Sequence, residues 1–388
     1  MTQPAPRVGI LARTLRGAGW VMAWRWGVRL LGLVNTLVLV RLLAPADFGL
    51  VALAAALIHT LDGLTQLGTE EAVIRQRAPD RHFYDTAFTI NLLRGAAVSA
   101  AVAASAYPAA WFFEEPRIAA VILWLSPLPL ADGLSNIGTV DFRRDMQFHK
   151  EFATMVLPKF CGIVATIIPA LLGAGYAALI WGTCANRLMR CVMSYAMHPF
   201  RPRLTLRARA ALFGYSAWSW VVGIAQLLRD RLDTLILGRI AGSAAVGVYS
   251  LGAEVASLPT SELVDPLCRA GFSGFAQAER EGVGPAALAP RLMGLAALVA
   301  LPSGTGLSLV AAPLVQIAFG PGWEQAADVL RVLALTGTVT VFGQICVHLL
   351  SAHGMLGRLA AIGYAGVALR ATLLLALVPA YGVAGAAW

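Results

Sequence analysis

Apolar stretches long enough to cross a bilayer follow one another along almost the whole chain, and nothing constrains its fold more. A spanning helix needs about 20 predominantly apolar residues. Eleven such stretches can be drawn, over residues 18–40, 47–69, 84–108, 118–140, 152–172, 175–197, 212–238, 244–266, 291–318, 325–350 and 359–379. The last residues, Tyr381-Gly382-Val383-Ala384-Gly385-Ala386-Ala387-Trp388, read as the first turns of a twelfth. Composition agrees: 58% of the 388 residues are hydrophobic, 13% are charged, and the mean hydropathy is +0.70. Soluble domains are nearer half apolar and a quarter charged. The expected class is an all-α, polytopic integral membrane protein. The polar insert from Arg269 to Arg291 is too short to fold as a domain of its own.

Within this series the chain repeats itself. Arg41-Leu42-Leu43-Ala44-Pro45-Ala46-Asp47-Phe48-Gly49 separates the first two spans. Pro45 cannot continue a helix, Asp47 can cap the next one, and Gly49 permits close backbone approach. A weaker copy, Arg239 to Tyr249, pairs Arg41 with Arg239 and Gly49 with Gly247 at an offset of 198. Near the ends of the two copies, Gly175-Tyr176-Ala177-Ala178-Leu179-Ile180-Trp181 resembles Gly382 to Trp388 at an offset of 207. Two parallel six-span lobes are expected, residues 1–210 and 211–388, with the second lobe cut short at the start of its last span. Duplicated six-span halves are a transporter architecture with the substrate path near the midplane.

Basic residues fall on one side. With the N-terminus in the cytoplasm, Arg75, Arg77, Arg81, Arg143, Arg144, Lys150, Arg201 and Arg203 all lie in cytoplasmic loops, whereas Arg41, Arg117 and Arg239 are left outside. This is the positive-inside pattern, so the net charge of +9 requires no nucleic acid. The N-terminal Arg7, Arg13 and Arg16 precede an apolar run that is too long for a signal peptide and lacks a small-residue cleavage site. It reads as an uncleaved first span. The five cysteines form no CxxC, and the four inside apolar segments read as buried small side chains.

Ten basic residues fall inside spans: Arg25, Arg29, Arg94, Lys159, Arg187, Arg190, Arg229, Arg231, Arg331 and Arg370. Each costs roughly 2.5–3.5 kcal/mol or more if it faces lipid at the bilayer centre. Arg187 and Arg190 are near enough to a span end to snorkel to the surface. Arg25, Arg29, Gly32 and Thr36 fall on one face of the first span; Gln226, Arg229, Asp230 and Asp233 do the same in the seventh. The two helices occupy equivalent places in the repeat. Cavity lining is the expectation for both stripes. Interfacial anchoring beside Trp20, Trp24 and Trp26 is the other reading of the first, and a self-neutralising network the other reading of the second.

A cationic cavity suits an anionic ligand, and guanidinium binds phosphate oxygens bidentately. A diphosphate carrying sugars and a lipid tail matches this chemistry, with Arg25, Arg29, Arg94, Arg229, Arg231, Arg331 and Arg370 as its candidate contacts. An organic-anion carrier would carry the same residues. His59 and Asp62 sit one turn apart in the second span, and with Asp230, Asp233 and Glu254 they are the candidates for ion coupling. Pro127 and Pro129, Pro158 and Pro169, Pro259 and Pro266, and Pro302 and Pro313 are expected to break four spans. No GxxxxGK[ST], GxSxG or HExxH occurs, which argues against an ATP-driven pump and against an enzyme. No cofactor or metal is expected.

The stretch RLLAPADFGLVALAAALIHTLDGLTQLGTEEAVIRQ resembles the signature of Wzx-type polysaccharide flippases, the PST branch of the MOP superfamily that also contains the MATE exporters. Asp141-Phe142-Arg143-Arg144-Asp145-Met146-Gln147-Phe148 is similar to that family's fourth-to-fifth-span loop. Asp233 to Arg239 with Gly247-Val248-Tyr249 is similar to its seventh-to-eighth-span junction, and Phe319-Gly320-Pro321-Gly322-Trp323 to the loop before its tenth span. The resemblance runs from Trp20 to the last residue. It implies a MOP-type two-lobe bundle in a bacterial inner membrane that moves undecaprenyl-diphosphate-linked oligosaccharide between leaflets, through a cationic cavity lined by the first and seventh spans. It also implies exopolysaccharide, O-antigen or capsule assembly, with polymerase or export proteins as partners. Family members run on through a twelfth span and usually two more. A MATE-like exporter and a non-transporting member of a polysaccharide assembly complex are the alternative expectations.

Overall fold

The structure is a computed structural model that describes residues 26–66, 69–70, 73, 80–144, 147–208, 217–264, 289–352 and 355–388. Among these residues there is no strand. The helices are α1 (26–42), α2 (Pro45–Leu64), α3 (Arg81–Phe113), α4 (Arg117–Leu125), α5 (Leu128–Gly133), α6 (Val140–Arg144), α7 (Phe148–Leu171) and α8 (Tyr176–Met197). They continue as α9 (Ala217–Ala256), α10 (Ala289–Leu309), α11 (Ala311–Ala318), α12 (Gln325–Ala352) and α13 (Leu356–Ala387). Among the described residues, seven helices are long and apolar enough to cross a membrane. The protein is a multi-pass membrane protein.

The side chains turned outward say the same. On α7, Leu157, Phe160, Val164, Ile168 and Leu171 are all exposed at three- and four-residue spacing. Such a stripe is an aggregation site in water and an ordinary lipid face in a bilayer.

Several expected spans differ in outline. The one at 118–140 is not continuous: it breaks into α4, α5, a 3-10 turn at Ile137–Thr139 and α6. Pro127 and Pro129 withdraw two backbone donors at the first break, and the Leu130 N–H is taken up by Ser99 Oγ at 3.0 Å. At the second break Asn136 holds the chain open. Its Oδ1 accepts the Gly138 N–H at 2.9 Å, its Nδ2 donates to the Phe200 carbonyl at 2.7 Å, and its own N–H donates to Ser194 Oγ at 2.9 Å. The spans at 212–238 and 244–266 are joined instead of separated. They form one long helix, α9, bent at Gly242, where φ is +82° and ψ 178°. An L-residue avoids that conformation, so glycine absorbs the bend.

The chain packs as two compact units. One contains α1, most of α3 and the helices from residue 119 through α8; its apolar core includes Val73, Phe83, Ala87, Phe88, Ile90 and Ile137. The other contains α2, residues 109–118 and α9 to α13, with Ala296, Ala300, Val341 and Ile345 packed where α10 meets α12.

The second unit brings two of the matched stretches into contact. α2 lies against α9 so closely that a Cβ on Gly49 would run into the Ser243 carbonyl, and a Cβ on Gly247 would run into the Pro45 carbonyl. Pro45 and Ser243 are themselves 198 residues apart, so the contact is self-complementary in the way a two-fold interface is. Beside it Phe48 meets the buried Trp323 edge to face, with ring centroids 5.5 Å apart. Gly175, which precedes α8, and Gly382, which bends α13 near its end, share almost the same glycine-only conformation, φ +56°, ψ −138° and φ +59°, ψ −132°.

Candidate functional site

Along α9 the sequence changes from apolar to charged one turn at a time. Gln226, Arg229, Asp230 and Asp233 follow the helical period, and Arg231 stands beside them. The chain bends at Gly242 and returns Tyr249, Ser250 and Ser257 to the same space; α12 adds Thr336 and Thr340, and α13 adds Arg370. Together these enclose a cavity of about 540 Å³ within the second unit.

Its deepest feature is Asp233, only 6% exposed. The carboxylate accepts the Arg370 Nε–H at 2.7 Å and an Arg370 Nη2–H, and it accepts the Tyr249 hydroxyl at 2.7 Å. Three segments 16 and 137 residues apart in sequence are thereby tied by one carboxylate. A buried carboxylate is tolerated when its lone pairs are filled this way. Nearer the opening, Arg229 Nε lies 3.6 Å from Asp230 Oδ1, with both side chains about half exposed. Gln226 donates to the same carboxylate at 3.4 Å. Arg231 is half-buried, and its Nε–H has no hydrogen-bond partner among the described residues. With three guanidiniums against two carboxylates, the lining is cationic and includes a donor left unused.

The structure therefore brings together Arg229, Arg231, Arg370, Asp230 and Asp233. In the first unit, Arg29 is half-buried on α1, and Gly32 on the same stripe faces Lys159 of α7, whose Cε would lie 3.9 Å from a Cβ at that glycine. Arg25 falls outside the described residues. Arg94 lines a separate cavity of about 320 Å³ in the first unit. Arg331 is exposed on α12 and pairs with Asp328 at 3.1 Å, away from either cavity lining. His59 and Asp62 lie half-buried on α2, and Glu254 half-buried on α9; none of the three lines a cavity described above.

Sequence reasoning missed the acceptor of one pair and missed two residues. Arg187 and Arg190, the pair expected to snorkel, share one carboxylate. Both hold Asp132, Arg190 at 2.9 Å and Arg187 closer still, because the broken fourth span presents that carboxylate to α8. Tyr249 was visible only as part of the repeat, and Lys159 only as one basic residue among ten. No helical period connects either to its partner.

The helix order and the broken spans give a fold that is also found among solved flippases and multidrug transporters. The fold matches the lipid II flippase MurJ in an inward closed conformation with a TM-score of 0.75, covering 94% of this chain and 83% of that one at 11% identity. It matches an inward-facing multidrug resistance MATE family transporter of the MOP superfamily with a TM-score of 0.71 and 16% identity, covering 92% and 89%.

The chain belongs to the polysaccharide biosynthesis protein family, whose model matches residues 38–328. Among its relatives are the lipopolysaccharide biosynthesis protein WzxC of Escherichia coli K12, 24% identical over 85% of this chain, and the succinoglycan biosynthesis transport protein ExoT of Rhizobium meliloti 1021, 26% identical over 83%. The chain spans 68% and 65% of their respective lengths.

Proposed function

We propose that the protein is a flippase that moves polyprenyl-diphosphate-linked oligosaccharide from the cytoplasmic to the outer leaflet of a bacterial inner membrane, for exopolysaccharide, O-antigen or capsule assembly. The observation that carries this reading is the cavity on α9, where Arg229, Arg231 and Arg370 converge with an unused Nε–H. A diphosphate offers acceptor oxygens to that Nε–H and to the other guanidinium donors, and its lipid tail can stay in the bilayer. The protein acts as a transporter and not as an enzyme. Movement is ATP-independent alternating access by two lobes, residues 1–210 and 211–388, with the N-terminus and the Arg-rich loops in the cytoplasm. Asp230, His59, Asp62 and Glu254 are the groups that would couple movement to an ion gradient. Polysaccharide polymerase or export proteins are the fitting partners.

The MATE likeness supports a second reading, export of a small molecule. An Arg-rich lining opposes a cationic drug, so that reading requires an anionic cargo.

The test is leaflet transfer in liposomes. A fluorescent undecaprenyl-diphosphate oligosaccharide is followed by its protection from an impermeant quencher. Transfer without ATP, lost in Arg231→Ala, is the expected result. No transfer above protein-free liposomes would overturn the flippase reading, and transport of a soluble organic anion instead would establish the exporter.

A further inference from the structure

The first unit contains a second polar cavity, and its chemistry differs from the one on α9. At about 320 Å³ it lies at the small end of ligand pockets, which run from about 300 to 1,000 Å³. It owes its existence to the broken fourth span, since Asp132, Gly133, Ser135 and Thr139 at the break all line it. Irregular backbone at membrane depth is tolerated where it is buried in protein or lines a wet cavity, and interrupted helices mark binding sites in transporters. Asn136 and Ser194 hold this break open with three directed hydrogen bonds.

The lining suits a neutral ligand. Glu70, Asp132 and Glu151 stand against Arg94 and Arg190, and Arg187 also holds Asp132, so the charges balance and an anion gains little here. Around the charges stand two amides, Gln66 and Asn91, and the hydroxyls of Thr69, Ser135, Thr139 and Thr154. Thr69 donates to Asn91 Oδ1 at 2.6 Å, which fixes the amide plane and turns its NH₂ edge into a directed donor. Planar carboxylates and amides that donate and accept in pairs are the complement of vicinal hydroxyl groups. Lining positions 66–70, 132–142 and 190–194 adjoin in sequence the Arg-rich loops. Those loops are proposed to face the cytoplasm, the side from which the substrate enters.

We infer that this cavity is a sugar-recognition site: it takes a neutral, polyhydroxylated ring of the lipid-linked substrate. The inference rests on the flippase reading, and adds to it a site that reads which sugar is attached.

The experiment measures binding to the purified full chain in nanodiscs. The probes are undecaprenyl diphosphate, bare and carrying a single glucose, galactose or N-acetylglucosamine. At least one glycosylated probe is expected to bind about tenfold tighter than the bare lipid, the equivalent of one or two hydrogen bonds. Asn91→Ala should lower that preference about three- to tenfold and leave bare-lipid affinity unchanged. Gln66→Ala, at an exposed rim position, should do the same and decides the matter if Asn91→Ala fails to fold. Arg231→Ala should weaken bare and glycosylated lipid alike. Equal binding of all four probes to the wild type would overturn the inference and leave the flippase reading standing. So would a sugar preference retained in both amide variants. Failure of the bare lipid itself to bind would overturn the flippase reading, and the sugar site with it.

Discussion

α9 is held in two different ways on either side of its middle. Around Gly238, Ser243 and Gly247 it is fitted to α2 by shape: backbone meets backbone, Leu53 fills the space over Gly238, and no side chain mediates the crossing of Gly49 and Gly247. Earlier in the same helix, between Arg229 and Asp233, it is held by charge, through Arg370 and Tyr249 around a cavity. The first contact lacks any group that a ligand could replace. The second is an ion pair, and an ion pair can exchange one anion for another. The proposed flippase would need both kinds of contact, a fixed reference surface and a polar surface that responds to what enters. Here they share one helix.

The sharpest way to break the comparison is at the shape-fitted end. Gly49→Leu places a side chain where the Ser243 carbonyl already stands. Backbone cannot rotate away as a side chain could, so the helices must part, and the expected loss is about 4 kcal/mol or more, in the range reserved for gross overpacking. Gly247→Leu should match it through the Pro45 carbonyl. Gly223→Ala, on the same α9 but with open space around it, should be neutral or stabilising by up to about 1 kcal/mol. Thermal unfolding of the purified protein with size-exclusion behaviour separates the three.

The charged end should yield less to deletion and more to compensation. Asp233→Ala strands Arg370 and leaves the Tyr249 hydroxyl without its acceptor. Breaking a buried pair costs about 3–5 kcal/mol, but Arg370 is 42% exposed and can reach water, so about 2–3 kcal/mol is expected. Arg370→Met in the same chain should recover most of it, because the uncompensated charge is gone. No second substitution should rescue Gly49→Leu in that way. A double variant as unstable as Asp233→Ala alone would mean that the carboxylate, and not the pair, holds α9.

How much of this was legible in the sequence follows the same division. The shape-fitted end was readable, because apolar runs and glycines recur at a fixed offset, and Gly49 with Gly247 and Gly175 with Gly382 can be matched by counting. The polar stripe from Gln226 to Asp233 was readable too, since its residues share one helical face. Partners were not. Asp233 and Arg370 are 137 residues apart, and nothing in either neighbourhood points to the other. Arg187 and Arg190 looked free to snorkel because their acceptor, Asp132, lies 55 and 58 residues earlier. Its helix breaks at prolines of a kind common in any membrane span. Periodicity reports which face a residue is on; it does not report what stands opposite.

Between these large effects lies the functional one. Arg231→Ala should change stability little, since its half-buried Nε–H makes no hydrogen bond within the described residues. Affinity for undecaprenyl diphosphate should fall about tenfold, the value of one charge-assisted hydrogen bond. Arg331→Ala, whose guanidinium is paired with Asp328 on the surface of α12, should leave that affinity unchanged. Equal losses in the two variants would remove the α9 cavity from the binding site.

The smallest effect tests whether charge also contributes at the shape-fitted end. Glu115, in the turn after α3, accepts Arg117 Nε–H at 2.8 Å and Nη2–H at 2.9 Å, and it accepts the Ser243 hydroxyl at 3.4 Å beside the glycine crossing. Hydrogen bonding from Arg117 holds its carboxyl below the usual glutamate range, against the opposing pull of partial burial. A depressed pKa means that the ionised form is favoured by folding. The contribution is therefore fully present above the ordinary glutamate pKa of about 4.3 and is lost as pH falls through the lower folded value. Arg117 is 48% exposed, so solvent screening keeps the effect under about 1 kcal/mol. Wild type should lose slightly more thermal stability than Glu115→Gln between neutral pH and pH 4, and the gap should shrink in high salt. Parallel pH profiles would show that the crossing of Gly49 and Gly247 holds by shape alone.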